Sequence, residues 1–195
     1  MNHAALMGWI LQTTTGAWLV LLIVWWVSGM RTKRTIQTQS SGSRLLNSAI
    51  LVAGVYLIFA RWIGVPALDR ELYEVTVPIA VAGLVAVVAG VAFSIWARLM
   101  LGGNWSSAVT VKENHELVRS GPYRFVRHPI YTGILLGMLG SAVQRGWVHC
   151  FVGVLLCVLS FWLKSQIEEQ FMVQSFGEQY ERYRHEAKAL VPFVF

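Results

Sequence analysis

Charge is scarce in this sequence of 195 residues, and its absence leaves long apolar stretches. Only 13% of the residues are charged while 55% are hydrophobic, which excludes an ordinary water-facing surface. Five stretches carry no Asp, Glu, Lys or Arg: 4–30, 45–60, 75–97, 128–144 and 146–163. A membrane span needs about 20 mainly apolar residues, so the three shorter stretches must include flanking residues. The pattern predicts an integral membrane protein with five transmembrane helices.

Several residue patterns of soluble enzymes are also missing. The sequence has no Cys-x-x-Cys pair and no Gly-x-Gly-x-x-Gly, and its five histidines show no metal-ligand spacing, so no metal is predicted. The one aspartate, Asp69, falls in a predicted outer loop, which argues against Ser/His/Asp hydrolysis. Cys150 and Cys157 are seven apart within an apolar run, a spacing that indicates packing on one helix face rather than redox chemistry.

The basic residues predict the orientation of the chain. Of the 16 lysines and arginines, all but Arg61, Arg70 and Arg145 fall in segments that five spans place on one side. The positive-inside rule therefore predicts an outer N-terminus and a cytoplasmic C-terminus. The formal charge of +6 is spread along membrane borders, which favours membrane lipids as partners over nucleic acid. The small size favours a prokaryotic cytoplasmic membrane.

The predicted fold is all-α and has two parts. Residues 1–97 hold three transmembrane helices. Residues 98–195 hold a cytoplasmic loop, helices four and five as a hairpin turning at 144–147, and an amphipathic tail. The polar stretch 35–43, "TIQTQSSGS", is predicted as a flexible loop, and residues 101–123 as a structured loop with a short hairpin. The last two helices tether the loop and the tail at one membrane face, where we expect a pocket.

The stretch "SGPYRFVRHPIYTG", residues 120–133, concentrates positive charge at the start of helix four. Arg124, Arg127 and His128 come directly before Pro129, which fits the first turn of a helix because its missing N–H is not needed there. A helix N-terminus carries partial positive charge, so this end suits an anion. The alternative is membrane anchoring by basic residues beside an ordinary proline-started helix.

The stretch "LKSQIEEQF", residues 163–171, marks the predicted membrane exit of helix five. Lys164 and Glu168 are four residues apart and share a helix face, while Glu169 is turned by about 100°. A glutamate beside an apolar helix end can bind a cation. The alternative is an interfacial lysine with solvated acids. Farther on, Tyr180 and Tyr183 share a face of a predicted amphipathic helix that either lies along the membrane surface or packs on the hairpin.

Two segments together, "HELVRSGPYRFVRHPIYTG" (115–133) and "EEQFMVQSFGEQYERY" (168–183), resemble the isoprenylcysteine carboxyl methyltransferase family of integral membrane enzymes. Phospholipid N-methyltransferases and some small-thiol methyltransferases share a related pattern. The resemblance implies a cytoplasmic pocket for S-adenosylmethionine. It also implies the cofactor-binding residues His115, Glu116, Leu117, Val118, Tyr123, His128, Pro129, Ile130, Tyr131, Glu168 and Glu169.

The resemblance further implies methyl transfer to a lipophilic or prenylated acceptor, most like isoprenylcysteine carboxyl O-methylation. The family places an arginine near the substrate carboxylate, and Lys164 takes that place here. Lysine keeps the charge but lacks the two-pronged guanidinium, so a phospholipid amine or a thiol stays open as acceptor. A non-catalytic membrane scaffold or accessory protein is the alternative of another class, and it predicts no cofactor binding.

Overall fold

The chain folds mainly into helices. The computed structural model describes residues 3–30, 35–38, 41–104, 110–112 and 117–190. The helices are α1 His3–Gly29, α2 Ser41–Phe59, α3 Val77–Leu101, α4 Pro129–Val143, α5 Val148–Phe176 and α6 Glu178–Glu186. Short 3-10 turns cover Gly102–Asn104 and Gly121–Arg124, and two strands, β1 Thr35–Thr38 and β2 Thr110–Lys112, complete the described elements.

Four of these helices, α1, α2, α3 and α5, are long and apolar enough to cross a membrane. The chain is therefore a multi-pass membrane protein. The remaining apolar helix, α4, has 15 residues and covers about 22 Å at 1.5 Å per residue, less than the roughly 30 Å of hydrocarbon. The helix and its uncharged stretch, 128–144, agree to within one residue at each end, so the stretch itself is short for a span. A fifth span is thus not confirmed.

Glycines allow α3 and α4 to pack with their backbones close together. A Cβ atom built on Gly90 would lie 2.3 Å from the Gly133 carbonyl oxygen, and one on Gly83 would lie 2.6 Å from the Gly140 carbonyl oxygen. Only glycine fits at such a distance, as is common where membrane helices meet. The hydroxyl of Ser94 donates to the Ile130 carbonyl at 3.1 Å. Together these contacts fix the start of α4 against α3.

The second close packing joins α2 to α5. A Cβ atom on Gly54 would lie 2.7 Å from the sulfur of Cys157, and both Cys150 and Cys157 are free and fully buried. The packing role predicted for the cysteines is confirmed. The hairpin turn at 144–147 is confirmed too, although α4 packs mainly on α3 and α5 mainly on α2.

A small sheet joins the loop between α1 and α2 to the loop between α3 and α4. Strands β1 and β2 are antiparallel, with Thr38 opposite Thr110. The prediction of a flexible loop over 35–43 is wrong for 35–38 and for the start of α2 at Ser41. The short hairpin predicted within 101–123 is not confirmed in the described residues, where β2 pairs with β1 from a distant loop, while 105–109 and 113–116 lie outside the described residues. Local alternation of residues does not specify the partner of a strand.

Candidate functional site

The segment before α4 is fastened between α3 and α6. The turn at Gly121–Arg124 begins with a glycine at φ +59°, a left-handed conformation that favours glycine. The turn buries Tyr123, whose hydroxyl lies 3.4 Å from the Ala97 carbonyl oxygen of α3. The hydroxyl of Tyr183 on α6 donates to the Tyr123 carbonyl at 2.5 Å. Burial raises the pKa of Tyr123, so its hydroxyl is a neutral donor at pH 7.

The chain after α6, residues 187–190 and here called the tail segment, pairs with the residues that lead into α4. The backbone N–H of Arg127 donates to the Lys188 carbonyl at 2.7 Å, and that of His128 donates to the Ala189 carbonyl at 3.0 Å. The pairing is parallel, as in a two-stranded ladder. The N-terminus of α4 is therefore held by the tail segment as well as by α3.

The imidazole of His128 bridges two carboxylates on α5. Its Nδ1 lies 3.3 Å from Oε2 of Glu168, and its Nε2 lies 3.3 Å from Oε1 of Glu169. Ionised carboxylates only accept hydrogen bonds, so both ring nitrogens must donate and the ring is cationic. Burial alone would lower the pKa of His128, but the hydrogen bonds to Glu168 and Glu169 outweigh it and raise that pKa.

Tyr131 lies in the first turn of α4 and donates its hydroxyl to Oε1 of Glu168 at 2.5 Å. Its ring stacks on His128, with centroids 5.5 Å apart, and on Phe161, with centroids 4.7 Å apart. Lys164 places its Nζ 5.3 Å from the centre of the same ring. These contacts fix the tyrosine hydroxyl on Glu168, whose side chain is 21% exposed.

Glu169 faces a different set of partners. Its Oε1 accepts from Nε and Nη2 of Arg127 at 2.9 and 2.6 Å, and its Oε2 lies 3.4 Å from Nε of Arg184. The interpretation that Arg124, Arg127 and His128 jointly offer positive charge to an anionic ligand therefore needs correction. Protein carboxylates already neutralise Arg127 and His128. Arg124 points elsewhere, because it lines a cavity beside α6.

Several residues implied by the resemblance share one apolar cluster at this end of the bundle. Its buried members are Ala97, Tyr123, Ile130, Tyr131, Phe161 and Leu190, and Val118 packs on it. Pro129 is also fully buried. Leu117 packs instead on the neighbouring cluster of Tyr180 and Tyr183. His115 and Glu116 lie outside the described residues.

The predicted cofactor pocket is not confirmed in the described part of the chain. A cavity of about 360 Å³ lies on the α6 side and is lined by Arg119, Arg124, Tyr183, Glu186 and Ala187. None of the residues implied to bind the cofactor belongs to that lining. Among the residues that the structure describes, no group of three or more His, Cys, Asp or Glu side chains is arranged to hold a metal ion.

The amphipathic helix predicted around Tyr180 and Tyr183 is α6. Both tyrosines are buried and pack on Met172, Val173 and Phe176, so the alternative of packing on the hairpin is correct. Burial raises the pKa values of both. The apolar face of α6 thus points into the protein and not into the bilayer.

Sequence reasoning missed two arginines. Arg184 comes directly after the second motif and reaches Glu169 from α6. Arg98 is 1% exposed at the end of α3, where its Nη2 donates to the Ser28 carbonyl at 2.7 Å and its Nη1 to the Gly102 carbonyl at 2.9 Å. An arginine that directly follows an uncharged run is the signal for Arg98. No sequence signal distinguishes Arg184 from its basic neighbours.

A protein-family model described as "Phospholipid methyltransferase" matches residues 79–179. The matched range takes in most of α3, the whole of α4 and α5, and the cluster of His128, Tyr131, Glu168 and Glu169. More than half of the chain therefore matches this family.

Curated relatives match about the same region. Protein-S-isoprenylcysteine O-methyltransferase of Schizosaccharomyces pombe is 35% identical over 104 residues, which is 50% of this chain and 43% of that protein. Its namesake in Xenopus laevis is 32% identical over 119 residues, or 60% and 41% of the two chains. A probable protein-S-isoprenylcysteine O-methyltransferase of Oryza sativa subsp. indica is 30% identical over 115 residues, or 57% and 60%. The chain spans about half the length of these relatives.

A solved structure has a similar fold. The eukaryotic intramembrane Ras methyltransferase ICMT (isoprenylcysteine carboxyl methyltransferase) matches with a TM-score of 0.55 and 23% identity, over 80% of this chain and 54% of that chain. The predicted resemblance to the isoprenylcysteine carboxyl methyltransferases is confirmed by this fold and by the curated relatives.

Proposed function

The chain belongs to the phospholipid methyltransferase family, and from that membership we propose that it is a membrane methyltransferase. It moves a methyl group from S-adenosylmethionine to a lipophilic acceptor, most like isoprenylcysteine carboxyl O-methylation. The observation that carries the proposal is the meeting of His128, Tyr131 and Glu168. These residues come from two motifs about 40 positions apart, and their side chains bond to one another where the start of α4 meets the C-terminal part of α5, opposite the hairpin turn.

The residues at this end fit the chemistry of the cofactor. S-adenosylmethionine joins a cationic sulfonium and amine to a carboxylate and a flat adenine, so its site needs both charge signs and apolar walls. Glu168 supplies a partly exposed carboxylate, Lys164 supplies a cation one turn away, and the apolar cluster supplies the walls. When bound, the cofactor supplies an electrophilic methyl group on a cationic sulfur.

We assign the cofactor contacts along the motif. Glu168 accepts from the amine or a ribose hydroxyl, and Tyr131 and His128 orient it. Val118, Tyr123, Pro129 and Ile130 form apolar walls. His115, Glu116 and Leu117 are assigned by the resemblance alone.

Lys164 is the proposed contact for an acceptor carboxylate. Methyl transfer joins the methyl carbon to the acceptor oxygen while the carbon–sulfur bond breaks and sulfur keeps the electron pair. A carboxylate is ionised at pH 7 and needs no general base, so the task of the protein is to align the two reactants and exclude water. Lys164 lies beside the ring of Tyr131, where its charge attracts an acceptor carboxylate toward the site.

Phospholipid N-methylation is the second candidate. The description of the matching family model favours it, and the lysine at position 164 weakens the case for a carboxylate acceptor, because a single ammonium binds a carboxylate less specifically than an arginine does. An amine acceptor must lose a proton before it can react. Thiol S-methylation has the same requirement and stays an alternative.

We place the protein with its N-terminus outside and its C-terminus in the cytoplasm, with α4 as the fifth span. The basic residues of the α1–α2 loop, the α3–α4 loop and the tail support this orientation. Residues 98–195 carry the catalytic region, and 1–97 contribute α1, α2 and most of α3. Prokaryotic origin stays a prediction, and the relatives named above are eukaryotic.

Two measurements test the proposal. Purified protein in detergent should bind S-adenosylmethionine saturably, Glu168→Ala should weaken binding at least about tenfold, and the exposed outer-loop control Glu74→Ala should bind as the parent does. Radiolabelled methyl transfer is then compared for a prenylcysteine analogue, phosphatidylethanolamine and a small thiol. Base-labile label identifies a methyl ester. Absence of saturable binding would falsify the function and favour a non-catalytic membrane scaffold or accessory protein.

A further inference from the structure

Glu168 and Glu169 are neighbours on α5, but their surroundings differ. Adjacent residues of a helix point about 100° apart. The side chain of Glu168 is 21% exposed and that of Glu169 is 8% exposed. A polar ligand that enters from the cytoplasm can therefore reach the carboxylate of Glu168 more readily than that of Glu169.

The carboxylate of Glu169 is already occupied by protein cations. Its Oε1 receives two hydrogen bonds from Arg127 and lies 3.3 Å from Nε2 of His128, while its Oε2 faces Nε of Arg184. Charge-assisted hydrogen bonds of this kind are the strongest polar contacts in proteins, and a buried ion pair is costly to break. A cofactor amine that bound Glu169 would have to displace one of these cations.

The same contacts join three parts of the chain. Glu169 lies on α5, Arg127 and His128 lead into α4, and Arg184 lies on α6. Nη1 of Arg127 also donates to the Arg184 carbonyl at 3.2 Å and to the carbonyl of Ala187 in the tail segment. Glu169 thus neutralises the arginine that holds the tail segment against the start of α4.

We propose, building on the proposed function, that Glu169 is a positioning residue and not a cofactor ligand: it pins His128 so that Glu168 alone faces the cofactor. The imidazole cannot rotate away from Glu168 while its Nε2 is bonded to Glu169. His128 also faces the ring of Tyr131, whose hydroxyl binds Glu168. Three other cations lie near the imidazole. Arg127 and Arg184 contact Glu169, and Lys164 contacts the ring of Tyr131.

Isosteric variants separate a ligand from a positioning residue. Glu168→Gln removes the accessible negative charge, so cofactor affinity should fall at least about tenfold at every pH. Glu169→Gln removes one of the two carboxylates that stabilise the cationic imidazole. Its affinity should stay within about threefold of the parent at pH 6 and fall at least about tenfold by pH 8.5. A loss equal to that of Glu168→Gln at both pH values, or no loss at either, would overturn the proposal.

A second readout does not require the cofactor and therefore separates this proposal from the proposed function. Trypsin cleavage after Lys188 reports release of the tail segment. The cleavage rate should rise at least about threefold in Glu169→Gln, since opening depends on the contacts that hold a segment, and should be unchanged in Glu168→Gln. If Glu169→Gln does not fold, Arg127→Lys tests the same contact from the other side and should give the same faster cleavage. Equal cleavage in parent and variant overturns the proposal, whether or not the parent binds S-adenosylmethionine.

Discussion

The hydroxyl of Tyr131 donates to the carboxylate of Glu168 at 2.5 Å, which joins the second residue after Pro129 of one motif to the first glutamate of the other. The tyrosine ring packs on His128 and Phe161, so the hydroxyl has a fixed direction. Because α4 and α5 run to the hairpin turn at 144–147, this bond closes the end of the hairpin that lies opposite its turn.

Tyr131→Phe tests this bond with little change in shape. Glu168 then loses the hydroxyl that donates to it, and the affinity for S-adenosylmethionine should fall at least about tenfold, as expected for the loss of one hydrogen bond to a charged group. Titration of the cofactor against purified protein measures the change. The matched control is Tyr56→Phe on the exposed side of α2, which should leave the affinity unchanged. Equal affinities for Tyr131→Phe and the parent contradict the assigned role.

Gly90→Ala tests the close packing of α3 on α4. The added Cβ would lie 2.3 Å from the Gly133 carbonyl oxygen and 2.6 Å from the Gly137 nitrogen. Because both are backbone atoms, the helices must separate, and we expect a loss of about 1–3 kcal/mol in unfolding free energy. Thermal unfolding in detergent should show a lower Tm than for Gly16→Ala, whose Cβ meets nothing within 4 Å. Similar Tm values for the two variants would disprove the close approach.

Much of the fold follows from the position of charge along the chain. The uncharged stretches locate α1, α2, α3 and α5, and Gln144 to Trp147 mark the hairpin turn because Arg145 interrupts the apolar run. The extent of α5 does not follow, because this helix continues past the uncharged stretch 146–163 to Phe176 and carries charged residues in its last turns. The pairing of β1 with β2 does not follow either, because it depends on how distant loops meet in space.

The sequence predicts which residues form the candidate site, but it does not predict which side chains each of them contacts. The motifs indicate that His128, Tyr131 and Glu168 act together, and their side chains do meet. The spacing on α5 also indicates that Glu169 points away from Glu168. What it points to is a property of the tertiary structure, because Arg184 comes from α6 and Arg127 from the segment before α4.

The stability of the protein should depend on pH through His128. Its pKa is raised in the folded protein by Glu168 and Glu169, above the value of about 6.5 in an unfolded chain. The stabilisation is therefore complete below about pH 6.5 and is lost as the pH rises through the folded-state pKa. Tm measured between pH 6 and pH 9 should fall more steeply for the parent than for His128→Asn, which has no proton to lose. Parallel Tm curves would contradict a cationic His128.

Substitutions of Lys164 distinguish a carboxylate acceptor from an amine acceptor, because they should change the KM for the two acceptors in opposite directions. If an acceptor carboxylate binds beside the ring of Tyr131, Lys164→Met removes its counter-charge, and the KM for a prenylcysteine analogue should rise about tenfold or more with a smaller change in kcat. Lys164→Arg supplies a planar guanidinium, which can bind a carboxylate through two parallel hydrogen bonds, and should lower that KM by a few-fold. Lys188→Met, at the exposed residue of the tail segment, is the matched control and should leave KM unchanged. For methyl transfer to phosphatidylethanolamine we expect the opposite change. A cation near an amine acceptor repels it, so Lys164→Met should lower the KM for this acceptor. An unchanged KM for both acceptors in Lys164→Met would remove Lys164 from the site, since a side chain that neither attracts nor repels an acceptor group does not contact it.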